Sequence, residues 1–149
     1  MEYDDLDDLY REAILDHTRH PRNRDPLEIH DAAARSVNPF CGDEVDLELS
    51  LDDGKVVAAS ARAVGCSINR AATSMLSEVI QGLTHEEIAE VTTLYREAMM
   101  GTNLSEETAA RIGQLRSMMG VRSFPVRIKC ALLALNALDD ALTDVKAGT

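Results

Sequence analysis

Four side chains stand out as able to do chemistry together: Cys41, Asp43, Cys66 and Cys130. The chain has three cysteines, an odd number, and its first residues, MEYDDLDD, are acidic where a secretory signal would be basic and then apolar. A reducing compartment keeps thiols free, so metal or sulfur chemistry explains them better than a disulfide framework. A single buried cysteine ordinarily behaves as a small hydrophobe, so the case rests on whether the set converges. Three thiolates and one carboxylate suit tetrahedral Zn²⁺, and the same cysteines could hold an iron–sulfur cluster. The donor set does not choose between them. No Cys-x-x-Cys pair occurs, so spacing alone is a moderate signal.

The elements that must position these groups follow from periodicity. Leu6, Leu9, Tyr10, Ala13, Ile14 and His17 recur at helical spacing over about 4–19. HPRNRDP then reads as a linker, because its prolines forbid continuing a helix. Val45, Leu47, Leu49 and Leu51 alternate with Glu44, Asp46, Glu48 and Ser50, which predicts a strand with one buried face. Asp53-Gly54 turns the chain into a second strand over about 56–64, and an earlier strand is expected near 29–37. From Ile68 the period becomes helical. Thr84 and Glu87 form a capping box for the next helix, another starts near Ser105, and the last opens after Pro125 with Cys130 in its first turn. The expected fold class is α+β: a three-stranded antiparallel sheet with an N-terminal helix and a following group of about four helices. The chain length of 149 residues predicts one domain, 1–149.

The hairpin bears directly on the site. A two-residue Asp53-Gly54 loop would place Cys41 opposite Cys66 but set Ser60 and Arg62 against Leu47 and Val45. A three-residue loop with Gly54 left-handed instead matches Val57, Ala59, Ala61 and Ala63 to the apolar face and sets Cys41 beside Gly65, and it is the expected register. Either way Cys41 meets Cys66 or its neighbour, with facing Cβ atoms about 4.5–5.5 Å apart. Asp43, two residues from Cys41, points to the same face if the strand geometry persists. Spacing does not position Cys130, whose convergence is inferred. Cys66 and Cys130 both lie near helix starts, where the dipole favours thiolate. Arg127 and Lys129 flank Cys130 as cations able to offset the charge of the centre. His17 reads as interfacial and His20, His30 and His85 as surface residues. Met75, Met99, Met100, Met118 and Met119 read mostly as helix packing.

A formal net charge of −11 argues against nucleic-acid binding, which needs clustered Lys and Arg. No apolar run approaches the roughly 18 residues of a membrane span, so a cytoplasmic location is expected.

The segments LYREAILDHTRHPRN, NPFCGD, GCSINRAATSML and FPVRIKCALLAL, in that order, resemble the SufU-type members of the IscU/NifU-N family of iron–sulfur cluster assembly proteins over nearly the whole chain. The resemblance implies metal or cluster ligands at Cys41, Asp43, Cys66 and Cys130. Two departures from IscU scaffolds point to the SufU branch: Lys129 stands where those carry His, and an extra segment spans about 102–124. Smaller departures are Phe40, where Thr or Asn is usual, and Asp25, where Gly commonly ends the PRN turn. Neither is expected to disable the site.

What the branch implies is zinc-dependent sulfur transfer. Cys41 would accept persulfide sulfur from a SufS-type, pyridoxal-phosphate-dependent cysteine desulfurase and stimulate it, while Arg127 helps to dock the partner or open the site. The chain would then be a sulfurtransferase-like partner rather than a stand-alone enzyme, with SUF scaffold or iron–sulfur client proteins as further partners. The alternative is a scaffold on which a cluster is assembled on the same ligands before transfer to clients. A purely structural zinc adaptor is a third reading.

Overall fold

The computed structural model describes the backbone of residues 2–39 and 42–148 and the side chains of residues 10–39 and 42–143. Helix α1 (Glu2–Arg19) precedes strands β1 (Ala32–Asn38), β2 (Asp43–Asp52) and β3 (Lys55–Val64). Helices α2 (Ser67–Val79), α3 (His85–Met99) and α4 (Glu106–Ile112), a 3₁₀ segment (Gly113–Ser123) and α5 (Pro125–Gly148) follow. The strands form one antiparallel sheet in the order β1-β2-β3. Helix α5 packs across β1 and β2, α2 against β3 and α5, and α1 against α2 and the 3₁₀ segment. This is the expected α+β arrangement.

The period-2 pattern of β2 does what it predicts. Asp43, Val45, Leu47 and Leu49 are buried on one face, while Glu44, Asp46 and Glu48 look outward. There Arg35 pairs with Glu44 and Arg62 with Glu48, a solvated ladder of small energetic weight. Asp43 thus begins the same inward row as three aliphatic side chains, and that is how a carboxylate comes to be fully buried.

The hairpin differs from expectation. Asp53 (φ 54°) and Gly54 (φ 76°) are both left-handed, as a two-residue type I′ turn requires, and Asp52 faces Lys55 and Leu51 faces Val56. A bulge between Ser50 and Leu51 then shifts the ladder, so that Leu49 faces Ala59, Leu47 faces Ala61 and Val45 faces Ala63. The bulge reconciles a two-residue loop with an apolar face, which the expected three-residue loop was meant to do. Its visible cause lies upstream: the Leu51 amide donates to Asp31 Oδ2 at 2.6 Å and Ser50 Oγ to the Ile29 carbonyl at 2.6 Å. As a consequence Val57 faces outward, more than half exposed, and Val56 is buried in its place.

The HPRNRDP stretch is more than a linker. The Arg22 amide donates to Ser74 Oγ and Asn23 Nδ2 to Ser77 Oγ, both at 2.9 Å, and the Asn23 carbonyl accepts the Ala61 amide at 2.7 Å. Left-handed Asn23 (φ 56°) lets the turn cover part of the open edge of β3, where unpaired amides would otherwise face solvent.

Helix α3 carries the expected capping box between Thr84 and Glu87. Thr84→Ala removes the acceptor of the Glu87 amide and should cost about 1 kcal/mol, read in a thermal melt as a fall of roughly 3 °C. Tyr95 of α3 is fully buried and donates its hydroxyl to the Ala131 carbonyl of α5 at 2.9 Å. Met75, Met99, Met118 and Met119 pack in the core as expected; Met100, just past the end of α3, does not, and is 75% exposed.

Candidate metal centre

Three of the four chemistry-bearing side chains converge at one end of the sheet. A carboxylate oxygen of Asp43 and the sulfurs of Cys66 and Cys130 all lie within 4.8 Å of one another. Cys41 falls on the β1–β2 connection and lies outside the described residues, as does Phe40.

Each of the three is positioned by a different element. Asp43 opens β2 on its buried face. Cys66 is the N-cap of α2; its amide donates to Asp43 Oδ1 at 2.9 Å, and its thiol reaches Oδ2 at 3.6 Å. The carboxylate therefore satisfies the amide of the N-cap residue itself, the donor that the N3 side chain takes in a capping box. Gly65 joins β3 to α2 with φ +128°, and a Cβ there would collide with Asp43 Oδ1, so only glycine lets the two strand ends close on the carboxylate. Beneath them lies Asn69, fully buried, whose amide donates to the carbonyls of Glu44 and Val64 at 3.3 Å each. Sequence reasoning passed over Asn69 and used Gly65 only as a register position opposite Cys41; their signal was their place beside Cys66.

Cys130 reaches the centre from α5 and is buried. It stands in the second turn rather than the first, because Pro125 itself begins the helix, where its missing N–H costs nothing. Arg127 is three residues earlier and so shares its face. Its guanidinium lies close enough to the two sulfurs that the charge of Cys66 first, and Cys130 with it, hold its pKa above the ordinary arginine value. Lys129, adjacent in sequence, is exposed, and i,i+1 neighbours on a helix do not share a face.

The expectation that a helix start would favour thiolate fails at Cys130. Burial pushes its thiol up, and hydrogen bonds to Asp43 and Cys66, with their negative charge, push the same way. By itself this pocket keeps Cys130 protonated. A divalent cation reverses the balance, since ligands bind deprotonated and metal uptake releases protons. The donor set passes a test of fit: bonds of about 2.0–2.3 Å in a tetrahedron put neighbouring donors about 3.5 Å apart, and Cys66 Sγ already stands 3.6 Å from Asp43 Oδ2.

Among the described residues no histidine joins this group. His17 is buried where α1 meets α2 and the 3₁₀ segment, with Nδ1 2.7 Å from Ser74 Oγ and Nε2 2.5 Å from Gln114 Oε1. His20, His30 and His85 are exposed, matching their reading as surface residues. No helix among the described residues is long and apolar enough to cross a membrane.

The profile of the family described as NifU-like N terminal domain matches residues 9–148. The zinc-dependent sulfurtransferase SufU of Bacillus subtilis (strain 168) is 34% identical over 144 residues, covering 96% of this chain and 95% of that protein. The iron–sulfur cluster assembly scaffold protein IscU of Streptococcus pyogenes serotype M1 is 32% identical, covering 92% and 84%. Among solved structures, one from Fervidobacterium islandicum AW-1, described as an iron–sulfur cluster assembly scaffold protein for the SUF system, superposes with a TM-score of 0.81 at 29% identity, covering 88% of this chain and 94% of that one. With a match across nearly its whole length, the chain belongs to the NifU-like N-terminal domain family of iron–sulfur cluster assembly proteins.

Proposed function

We propose that this protein accepts sulfur for iron–sulfur cluster biogenesis on Cys41, beside a zinc ion held by Asp43, Cys66 and Cys130 together with Cys41 itself. The observation that carries the reading is the largely buried cluster of one carboxylate and two thiols with an arginine beside the sulfurs. Chain connectivity keeps the Cys41 Cα within about 7 Å of that of Asp43, so the fourth donor belongs to the same neighbourhood. The 34% identity to a zinc-dependent sulfurtransferase supports zinc. Lys129, in place of the histidine expected of IscU scaffolds, supports it too.

In this reading zinc keeps the cysteine sulfurs deprotonated at neutral pH and masks them until a partner engages. The donor is a SufS-type, pyridoxal-phosphate-dependent cysteine desulfurase carrying a persulfide on its own cysteine. The Cys41 thiolate attacks the terminal sulfur, a new S–S bond forms on Cys41, the desulfurase S–S bond breaks, and its cysteine leaves as thiolate. Asp43, Cys66 and Cys130 stay in place, and Arg127 balances their negative charge while Cys41 is displaced. The protein is a cytoplasmic single domain, 1–149, handing sulfur on to SUF scaffold or client proteins. The scaffold alternative, a cluster built on the same donors, draws its support from the relatives named as scaffolds.

Anaerobic purification with metal analysis and a visible spectrum separates the two. Sulfur transfer predicts about one zinc per chain, no colour, and a desulfurase whose turnover rises on addition of the protein but not of Cys41→Ala. Iron with acid-labile sulfide and a cluster that moves to an acceptor protein would replace this reading with the scaffold. Full stimulation by Cys41→Ala would refute the acceptor role.

A further inference from the structure

Beside the centre runs an open groove of about 890 Å³ between α1 and the 3₁₀ segment, with Arg127 at one end. Its walls are apolar, including Ile14 and Leu15 from α1 and Met119 and Phe124 from the other side, and its remaining basic residues are Arg11 and Arg122. Leu15 and Phe124 are 39% and 62% exposed, so the surface is accessible and only partly covered by the chain's own packing.

The described lining of this groove carries three arginines and no carboxylate. The chain has 26 acidic against 15 basic residues, and among the described residues Arg22, Arg35, Arg62, Arg96 and Arg111 each pair with a carboxylate. Arg11, Arg122 and Arg127 form no such pair, and neither do Arg19, Arg24, Arg70 and Arg116, but the first three share one groove. Arg122 donates instead to backbone carbonyls of Met119 and Ala98, which fixes its position and leaves its charge uncompensated. Apolar walls rimmed by three unpaired arginines fit a polypeptide segment with apolar side chains on one face and carboxylates flanking them. Nucleic acid and anionic lipid present extended arrays of negative charge that the chain's overall negative charge opposes and three arginines are too few to offset, whereas a segment needs only the few carboxylates that meet these arginines.

We infer that this groove is the docking site for an acidic, amphipathic segment of a partner protein, seated so that one of its carboxylates reaches Arg127. Occupancy then bears on the metal centre directly, because a carboxylate on Arg127 competes with the electrostatic interaction of this residue with Cys66 and Cys130. The inference stands on the groove and its charges, and neither the identity of the metal nor the role of Cys41 enters it.

The test uses two fluorescein-labelled synthetic helices, each with leucines on one face, flanked by glutamates in one and by lysines in the other. Anisotropy against the full-length, zinc-loaded chain should show the glutamate helix binding at least about tenfold more tightly than the lysine helix, a difference near 1.4 kcal/mol. Arg11→Glu should remove or invert that preference, and Leu15→Asp should weaken the glutamate helix by a similar factor. Neither position belongs to the metal cluster, so zinc content should stay at the wild-type level and report an intact fold. Equal binding of both helices, binding of neither, or a preference that survives both substitutions would overturn the assignment. So would a concentration-dependent dimer abolished by Arg11→Glu, which would give the groove to a second copy of the chain. Cys41-dependent stimulation of a desulfurase is read separately, so either proposal can fail without the other.

Discussion

Asp43→Asn should leave a folded protein that has lost most of its hold on zinc, with affinity down by 10–100-fold or more in competition with a chelator. The asparagine carbonyl can still accept the Cys66 amide that now donates to Oδ1 at 2.9 Å, so the junction between β3 and α2 keeps its cap. What disappears is the negative charge and the second oxygen, the one 3.6 Å from Cys66 Sγ. Asp43→Ala removes both functions and orphans a part-buried amide, so it should add about 1 kcal/mol or more of lost stability to the same loss of metal. A zinc titration and a melt of the metal-free protein, run on both variants, separate ligand from cap. Unchanged zinc affinity in Asp43→Asn would show that Asp43 serves the fold alone.

Gly65→Ala should be the most damaging single substitution outside the donor set. The new Cβ would lie on Asp43 Oδ1, close to Asp43 Cγ and 3.0 Å from its Cα, at a backbone φ of +128°. Side-chain motion cannot relieve a clash with a Cα, so β2 and β3 must part at the site or the peptide must rotate out of its present conformation. A combined cost of about 3 kcal/mol or more follows, a large share of the roughly 5–15 kcal/mol that holds a domain folded. The expected result is a melting point lower by about 10 °C and no stoichiometric zinc in whatever folds. Gly42→Ala is the matched control: it too has positive φ, but nothing lies within 4 Å of an added Cβ, so it should bear only the backbone strain. If the two variants melt alike, the closeness of Gly65 to Asp43 is not what matters.

How much of this could be read in advance varied with the range of the interaction. The strand alternation from Val45, the capping box at Thr84 and the helical stripe after Cys66 are local patterns, and they predicted β2, α3 and α2 closely. The hairpin turn residues were also right, yet the register was wrong because the bulge at Ser50 and Leu51 accompanies hydrogen bonds to Ile29 and Asp31, about 20 residues upstream. Nothing within the hairpin encodes that contact. The convergence of Asp43 and Cys66 followed from strand logic, whereas spacing does not position Cys130, which arrives through the packing of α5 across the sheet; its convergence was inferred and then implied by the family resemblance. Its protonation was misjudged for a related reason: a dipole is visible in a sequence, but burial among other acidic groups is not.

Tyr95 gives the molecule an optical property of its own. With no tryptophan and three tyrosines, its near-ultraviolet absorbance is dominated by phenols, and one of these is sealed in the core with its hydroxyl on the Ala131 carbonyl, next to Cys130. Burial pushes that phenol far up, so the fold favours the neutral form. The stability this contributes is fully present below the unfolded value of about 10 and drains away as the pH climbs above it. In an alkaline titration the Tyr95 phenolate signal should therefore appear only when the core opens, making ultraviolet absorbance a label-free gauge of how tightly α3 and α5 grip each other beside the Cys130 end of the donor cluster.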